Sequence, residues 1–281
     1  MGYLILSVLF SSAIFIVFKL FEKYNINTLQ AIIVNYATAF CIGIFTYEHK
    51  IDFINIPNKP WYIGAVILSC LFISVFNLMA LTSQKNGVSV ASVAGKMSIV
   101  IPVIFGIYLY NEQLTMQKGI GIILALCAVF LTTSKNASTV KKGNYIFPIL
   151  LFLGSGIIDT LIKYIQTNYV SNTELPLFSA ILFIQAGVLG TVIYFFKPSK
   201  LYGKNIIAGL CLGIINYYSI IYLLKALNNK NLGSAEVFTI NNVAIVMLTT
   251  LAGLFIFKEK LIFKNWIGIS IAIISILLIT L

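Results

Sequence analysis

Three ionisable side chains within long apolar stretches of the sequence could do chemistry, two of them well inside their stretch and one near its start. Lys96 interrupts the stretch SVASVAGKMSIVIPVIFGIYLY, residues 89–110, and two acids, Asp159 and Glu236, lie within later apolar stretches. A charge at the centre of a bilayer-spanning helix costs at least about 2.5–3.5 kcal/mol, and such groups usually face a pathway or each other. A lysine in that position can bind a carboxylate or phosphate, and an intramembrane acid can carry a proton.

Each of these residues also has a structural interpretation. Lys96 could snorkel or pair with one of the two acids, but about eight residues into a helix it stays several ångströms short of the interface, which favours a cavity position. Asp159 precedes Lys163 by four residues, the spacing of a neutralising helical pair, and this interpretation stands beside proton coupling. Glu236 follows Gly233 in a first helical turn, where capping is the favoured interpretation.

The elements that carry these residues are membrane spans. Of 281 residues, 59% are hydrophobic and 10% charged, with a mean hydropathy of +0.98, whereas soluble domains carry about 25% charged residues. Segments long enough to cross about 30 Å of hydrocarbon occur near residues 3–21, 29–47, 61–82, 88–110, 116–134, 145–165, 175–196, 205–227, 233–257 and 263–281. Their length, without polar and apolar alternation, predicts an all-α integral membrane protein of ten transmembrane helices.

The polar linker at residues 132–145 divides these segments into five and five. Sliding the second half onto the first places NEQLTMQKGIGI, residues 111–122, on KEKLIFKNWIGI, residues 258–269. An odd number of crossings per repeat inverts the second half, and inverted repeats are typical of secondary transporters with a substrate site near the membrane midplane. The sequence therefore predicts two inverted five-helix repeats, as domains 1–138 and 143–281.

The third to fifth segments of each half share a motif pattern: ALTSQKNGVSVASV…IPVIF…NEQLTMQKGIGIILAL and ALNNKNLGSAEV…KEKLIFKNWIGISIAI. This pattern resembles the drug/metabolite transporter superfamily in its ten-helix form with two EamA-like domains. The resemblance implies a central cavity formed by helices 1, 3, 4, 6, 8 and 9, and it implies metabolite transport. Related small multidrug resistance proteins exchange protons at a first-helix glutamate. Ser11 and Ser155 occupy that position here, which disfavours proton-coupled drug export by that acid.

Polar side chains cluster in the spans predicted to surround the cavity. Together with Lys96, the predicted substrate-binding residues are Asn77, Asn216, Tyr217, Tyr218, Thr239, Asn241 and Asn242. For any single asparagine, a helix–helix hydrogen bond is the alternative interpretation. Gly95 permits close helix approach and Pro102 frees a backbone carbonyl, so the fourth span is predicted to kink and to act as a gate.

The leading hypothesis is a secondary transporter that moves an amino acid or another carboxylated or zwitterionic metabolite, in the direction of export, by alternating access. Lys96 would bind the anionic group, and Asp159 or Glu236 would couple protons. The alternatives are an exporter of cationic drugs, a channel and an intramembrane enzyme. The single histidine, His49, lies in a polar loop without a catalytic constellation, so no enzyme, metal or cofactor is expected. The cysteines (Cys41, Cys70, Cys127 and Cys211) are interpreted as small core residues.

The net charge of +11 is spread over short loops, which favours lipid headgroups rather than nucleic acid as the partner. We expect a monomer or homodimer in the inner membrane of a bacterium, with a small-molecule substrate and protons as further partners. Lysines are more abundant in the loops that follow odd-numbered helices, which predicts both termini outside the cytoplasm. Ten-helix relatives generally keep both termini inside.

Overall fold

The computed structural model describes residues 2–47, 51–110, 115–133, 145–171, 173–196, 198–227 and 234–280. Within these ranges the chain is helical: α1 (Gly2–Lys23), α2 (Thr28–Phe45), a 3-10 turn (Ile56–Asn58), α3 (Tyr62–Lys85), α4 (Val88–Met97), α5 (Val100–Tyr110), α6 (Met116–Thr133), α7 (Ile146–Tyr169), α8 (Leu175–Phe196), α9 (Gly203–Leu227), α10 (Ser234–Phe255) and α11 (Phe263–Thr280). Among the described residues, seven spans are long and apolar enough to cross a membrane, and three apolar helices are shorter. The prediction of an all-α integral membrane protein is confirmed.

The fourth predicted span is two helices rather than one. Helix α4 ends at Met97 and α5 begins at Val100. Pro102 explains the break, because it has no N–H for the carbonyl of Ser98 four residues earlier and its ring clashes with that carbonyl. The Ser98 carbonyl instead accepts a hydrogen bond from the Ile101 N–H at 2.9 Å. The fourth span is therefore discontinuous near the middle of the membrane.

The helices pack mainly across the two halves of the chain. Helix α1 packs on α9 and α10, while α7 packs on α3 and α4; α2 packs on α9, and α8 packs on α3. The pairs α2 with α8, α4 with α10 and α6 with α11 also lie in contact. In the five-plus-five division, the repeat partners are α1 and α7, α2 and α8, α3 and α9, α4 and α10, and α6 and α11. Exchanging each helix for its partner turns every contact above into another contact of the set, or into itself, as a pseudo-two-fold relation requires. The predicted boundary at residues 138–143 lies outside the described residues.

Two glycines allow the close approach of α6 and α11. A Cβ atom on Gly121 would lie 2.7 Å from the Ile279 side chain, and one on Gly268 would lie 2.8 Å from Thr132. The hydroxyl of Ser275 donates to the Gly121 carbonyl at 2.8 Å. Small residues at such contacts let two backbones pack closely without a hydrophobic driving force.

With α4 and α5 counted as one span, the described helices cross the membrane ten times. The start of α1 and the end of α11 then lie on one membrane face, which we name the terminal face. The other face is named the opposite face. Loop contacts agree with this arrangement. On the terminal face, Lys59 Nζ lies 2.7 Å from Glu174 Oε1. On the opposite face, Gln30 Nε2 donates to Ser199 Oγ at 2.9 Å.

The four cysteines are not core residues, contrary to the prediction. Each is a free thiol on an exposed helix surface: Cys41, Cys70, Cys127 and Cys211. Lipid-facing and protein-facing sides of a membrane helix are similarly apolar, so the sequence pattern does not separate the two. Among the described residues, no group of three or more His, Cys, Asp or Glu side chains is arranged to hold a metal ion.

Candidate functional site

A cavity of about 580 Å³ lies between α4, α5, α7, α9 and α10. Its described lining consists of Gly95, Lys96, Ser98, Ile99, Pro102, Val103, Asp159, Ile162, Lys163, Gln166, Leu223, Asn241 and Asn242. Charged and amide side chains alternate with aliphatic ones, and no described lining residue is aromatic. The volume falls within the range of about 300–1,000 Å³ found for small-molecule sites.

The cavity lies on the terminal-face side of the membrane centre. Gln166 and Leu223 lie in the last turns of α7 and α9, and both helices end at the terminal face. Lys96 marks the inner end of the cavity. It lies about 12 Å along α4 from Val88 at the opposite face, at 1.5 Å per residue. The cavity therefore extends from the midplane toward the terminal face.

Lys96 and Asp159 line this cavity without direct contact. Among the described residues, neither takes part in an ion pair within 4.0 Å. The predicted pair between Asp159 and Lys163 is also not formed, because their charged atoms do not approach within 4.0 Å. Two side chains of opposite formal charge therefore line one cavity without an ion pair between them.

The break in the fourth span places a helix end beside each charge. Lys96 lies in the last turn of α4, where the helix dipole provides partial negative charge. Asp159 lines the same cavity as Ser98, which lies in the turn that precedes the partially positive start of α5. Discontinuous helices of this kind form the substrate and ion sites of many transporters.

Two neighbouring asparagines of α10 complete the polar wall. Asn241 Oδ1 accepts a hydrogen bond from the Ser7 hydroxyl at 3.1 Å, which anchors this side chain to α1. Asn242 is 8% exposed, and no hydrogen bond of its amide is recorded in the described part of the chain. Binding of a solute by Asn241 would compete with its hydrogen bond to Ser7, whereas no described hydrogen bond of the Asn242 amide would have to break.

Two other predicted binding asparagines do not reach the cavity. Asn77 Nδ2 donates to the Ile73 carbonyl at 2.7 Å, within its own helix. Asn216 Nδ2 donates to Asn35 Oδ1 at 3.2 Å and links α9 to α2. Both amides therefore make the kind of hydrogen bond that stabilises helices: that of Asn77 lies within its own helix, and that of Asn216 joins two helices.

The two predicted binding tyrosines also lie outside the cavity wall. The hydroxyl of Tyr217 shares a short hydrogen bond with the hydroxyl of Thr46, and its ring borders a separate cavity of about 50 Å³. Tyr218 packs against Phe10 and Tyr222 at ring-centroid distances of 5.9 and 5.7 Å. Successive residues of a helix are turned by 100°, so these tyrosines face α2 and α1.

The remaining predictions fall on side chains that the structure does not describe. Glu236 and Thr239 lie in the backbone range of α10, but their side chains are outside the described residues. Their assignment to proton coupling and substrate binding stays a prediction.

Three polar lining residues were not predicted as binding residues: Ser98, Lys163 and Gln166. A signal for two of them was present in the sequence. Asp159, Lys163 and Gln166 recur at helical spacing of three to four residues and share one face of α7. Ser98 enters the cavity only because the helix breaks at that residue.

Comparisons with known proteins agree with this architecture. The model of the EamA-like transporter family matches residues 1–134. Over these residues the chain is similar to the EamA-like transporter family. The candidate spans make this a multi-pass membrane protein, and the match agrees with the predicted resemblance to the drug/metabolite transporter superfamily, whose members are transporters rather than enzymes. The second EamA-like domain, the inner-membrane location and the orientation of the termini stay predictions.

Two relatives match this chain over most of their own length. An uncharacterized protein of Haemophilus influenzae is 28% identical over 286 residues, which cover 97% of this chain and 95% of that protein. The probable glucose uptake protein GlcU of Priestia megaterium is 27% identical over 258 residues, which cover 86% and 84% of the two chains. A solved structure described as "Crystal structure of protein" matches 99% of this chain and 95% of its own, with a TM-score of 0.65 and 12% identity. That likeness shows the fold.

Proposed function

We propose that this protein moves a small carboxylated or zwitterionic metabolite, such as an amino acid, by alternating access through the cavity. The observation that carries the proposal is that Lys96 of α4 and Asp159 of α7 line one cavity without a direct ion pair. Desolvated charges inside a membrane protein are stabilised by a partner. A zwitterion supplies a partner for each of them.

The lining residues suggest a role for each end of the solute. Lys96 binds the carboxylate, and its place at the inner end of the cavity holds that group near the membrane centre. Asp159 binds the ammonium group or, between substrates, a proton. Asn242 and Gln166 offer amide donors and acceptors for the rest of the molecule.

A cationic drug fits this cavity less well. The described lining carries two lysines, Lys96 and Lys163, against one acid, Asp159. It also offers no aromatic face, the surface that commonly binds organic cations. The cavity chemistry therefore favours solutes with a carboxylate over solutes with positive charge alone.

A neutral sugar is the second candidate. The relative GlcU is named as a probable glucose uptake protein, and three lining amides, Gln166, Asn241 and Asn242, can donate to and accept from hydroxyl groups. A sugar would leave the charges of Lys96 and Asp159 without an ionic partner. The two candidates consequently differ in how strongly binding depends on the lysine charge.

The test is uptake into liposomes by the purified protein, with a panel of amino acids, the matching amines that lack the carboxylate, and glucose. Lys96→Gln removes the charge at similar side-chain length. Lys204→Gln is the matched control, because Lys204 is exposed on the opposite face and donates to the Tyr24 carbonyl. We expect an amino acid to be transported by the wild type and the control, with an apparent affinity about tenfold or more weaker in Lys96→Gln. Transport of glucose that is unchanged in Lys96→Gln would establish the sugar instead.

A further inference from the structure

The cavity is closed toward the opposite face by a contact between α4 and α10. The Thr249 hydroxyl donates to Ser92 Oγ at 2.6 Å, and both side chains are fully buried. Val88 and Ala91 of α4 and Ile245 of α10 are buried beside them. A solute at Lys96 therefore has no path to the opposite face unless the start of α4 and the end of α10 separate.

The carboxylate of Glu259 crosses this contact. Glu259 lies between α10 and α11, and its Oε1 accepts the Val88 N–H at 2.7 Å while its Oε2 accepts the Ser89 hydroxyl at 3.2 Å. Val88 and Ser89 open α4, so the carboxylate caps the partially positive end of that helix. The Glu259 N–H donates to the Gly253 carbonyl at 2.9 Å, so the acid is fastened to α10 by its backbone and to α4 by its side chain.

The backbone around the carboxylate leaves room only for glycine. A Cβ atom on Gly253 would lie 2.5 Å from Glu259 Oε2 and 2.8 Å from Ser89 Oγ. Gly87 has φ +107°, and a Cβ there would lie 2.9 Å from the same carboxylate. No ion pair of Glu259 is recorded among the described residues. The Glu259 carboxylate therefore interacts mainly with the first two residues of α4, through its hydrogen bonds to Val88 and Ser89.

The equivalent position on the terminal face falls on the end of α5 and the start of α10, where most side chains lie outside the described residues. The repeat relation that pairs the start of α4 with the end of α10 would pair the end of α5 with the start of α10. In the described part of the chain, α5 packs mainly on α7, and the cavity lies between α5, α7 and α10. Among the described residues, the contact between α4 and α10 closes the cavity toward the opposite face, and the cavity continues between α5, α7 and α10 on its other side.

We propose that Glu259 is a positioning residue that latches the gate on the opposite face. While its carboxylate holds the start of α4, the cavity can be entered only from the terminal face. Release of the carboxylate lets α4 and α10 separate and opens the cavity to the opposite face. The inference rests on the proposed alternating access through this cavity, and it adds the residue that sets the balance between the two open states.

The experiment measures access to the closed contact and needs no substrate. Ser92→Cys is placed in a chain whose four exposed cysteines are replaced by alanine, and a membrane-impermeant thiol reagent is applied from each face of proteoliposomes. With Glu259 intact, we expect slow labelling from both faces. Glu259→Gln keeps an acceptor but removes the charge, and we expect labelling from the opposite face to accelerate about tenfold, as for loss of a charge-assisted hydrogen bond.

A second variant tests the latch without removing its hydrogen-bonding groups. Gly253→Ala inserts a methyl group between Glu259 and Ser89, so we expect it to accelerate labelling in the same direction. The matched controls are Glu22→Gln, an exposed acid that pairs with Lys19 on the same face, and Gly119→Ala, where no atom lies within 4 Å of the added Cβ. Neither control should change the labelling rate.

The proposal is overturned if both variants fold, as judged by gel filtration and thermal unfolding, yet label at the parent rate. It is also overturned if Glu22→Gln accelerates labelling equally, since that result indicates general loosening of the face. A substrate screen that finds no transported solute would count against the proposed function and leave the labelling result to decide the latch.

Discussion

Glu174 fastens the loop between α2 and α3 to the start of α8 on the terminal face. Its carboxylate accepts from Lys59 Nζ at 2.7 Å and from Trp61 Nε1 at 3.3 Å. Trp61 is fully buried and packs edge-on against Phe178 at 5.6 Å between ring centroids. The hydrogen bond with Lys59 lowers the pKa of Glu174 and raises the pKa of Lys59. One acid thus serves a partly exposed ion pair and a buried indole.

The signs of these pKa changes predict how stability depends on pH. A lowered pKa means that the Glu174 contribution is complete above its unfolded value of about 4.3 and is lost as pH falls through the folded value. The raised pKa of Lys59 means that its contribution is complete below about 10.4 and is lost as pH rises through the folded value. We expect Glu174→Gln to lower stability by up to about 1 kcal/mol near neutral pH. The difference in melting temperature between Glu174→Gln and the wild type should become smaller at both low and high pH.

Two substitutions of Glu174 distinguish the contribution of the ion pair from that of the hydrogen bond with the Trp61 indole. Glu174→Ala removes the acceptor of the buried Trp61 N–H, whereas Glu174→Gln retains an amide oxygen there. We expect the alanine variant to lose about 1–3 kcal/mol more than the glutamine variant, because a buried donor without an acceptor is costly. Equal melting temperatures for the two variants in detergent would show that the Trp61 contact contributes nothing.

Two asparagines on neighbouring helices predict opposite phenotypes. Asn216 is bonded to Asn35 between α9 and α2, so Asn216→Ala should lower stability by about 0.6–2 kcal/mol with little effect on apparent substrate affinity. Asn242 lines the cavity, so Asn242→Ala should weaken affinity several-fold, as for loss of one neutral hydrogen bond, with little loss of stability. Thermal unfolding and uptake measured on both variants check the contrast, and a reversed pattern would remove Asn242 from the site.

At the scale of elements, the discontinuity between α4 and α5 shapes the cavity. It brings Ser98 into the wall and presents two helix ends to the enclosed space. Pro102→Ala restores an N–H that can reach the Ser98 carbonyl. The change should favour a continuous helix by up to about 3 kcal/mol.

This element-scale prediction is measured by labelling. In the cysteine-free chain carrying Asn242→Cys, reagent applied from the terminal face should react more slowly once Pro102 is replaced by alanine. Pro176→Ala is the control, because Pro176 lies in the first turn of α8, where a proline leaves no hydrogen bond unmade. Unchanged labelling in Pro102→Ala would show that the turn at Ser98 persists without the proline.

The sequence predicted the positions of the spans more securely than the direction each side chain faces. Span limits follow from hydrophobic length, and a lone Lys96 among apolar residues marks a cavity because charge in lipid is costly. The spans of Tyr217 and Asn77 are apolar on every side, so no polar stripe distinguishes a cavity wall from a helix contact. The position of Gln166 in the cavity could be predicted only from its spacing to Asp159 on one helix face. The cap that Glu259 forms on α4 could not be predicted, because it depends on a tertiary contact between the two halves.

At the scale of the whole molecule, the two halves are interlocked rather than set side by side. The first two helices pack chiefly on α8, α9 and α10, and α6 packs chiefly on α11. In each half, the faces that carry small residues are therefore covered by the other half. Neither half presents a complete packed unit.

Expression of the two halves separately tests this interlocking. We expect residues 1–138 alone to be degraded or aggregated, because its packing surfaces lack their partners. Co-expressed with residues 143–281, it should form a complex that co-purifies and melts as one unit. The control is the full chain cut at a protease site inserted into the linker. Independent, stable folding of either half would contradict the arrangement.

The short helix α4 has a further consequence for energetics. It carries Lys96 at its inner end, so any movement of α4 along the membrane normal moves charge through the transmembrane electric field. A charge that crosses the whole field changes in energy by about 2.3 kcal/mol per 100 mV. One helical turn is about a fifth of the hydrocarbon thickness, which corresponds to roughly 0.4 kcal/mol. The resting voltage of the cell would then bias the resting conformation even before any solute binds.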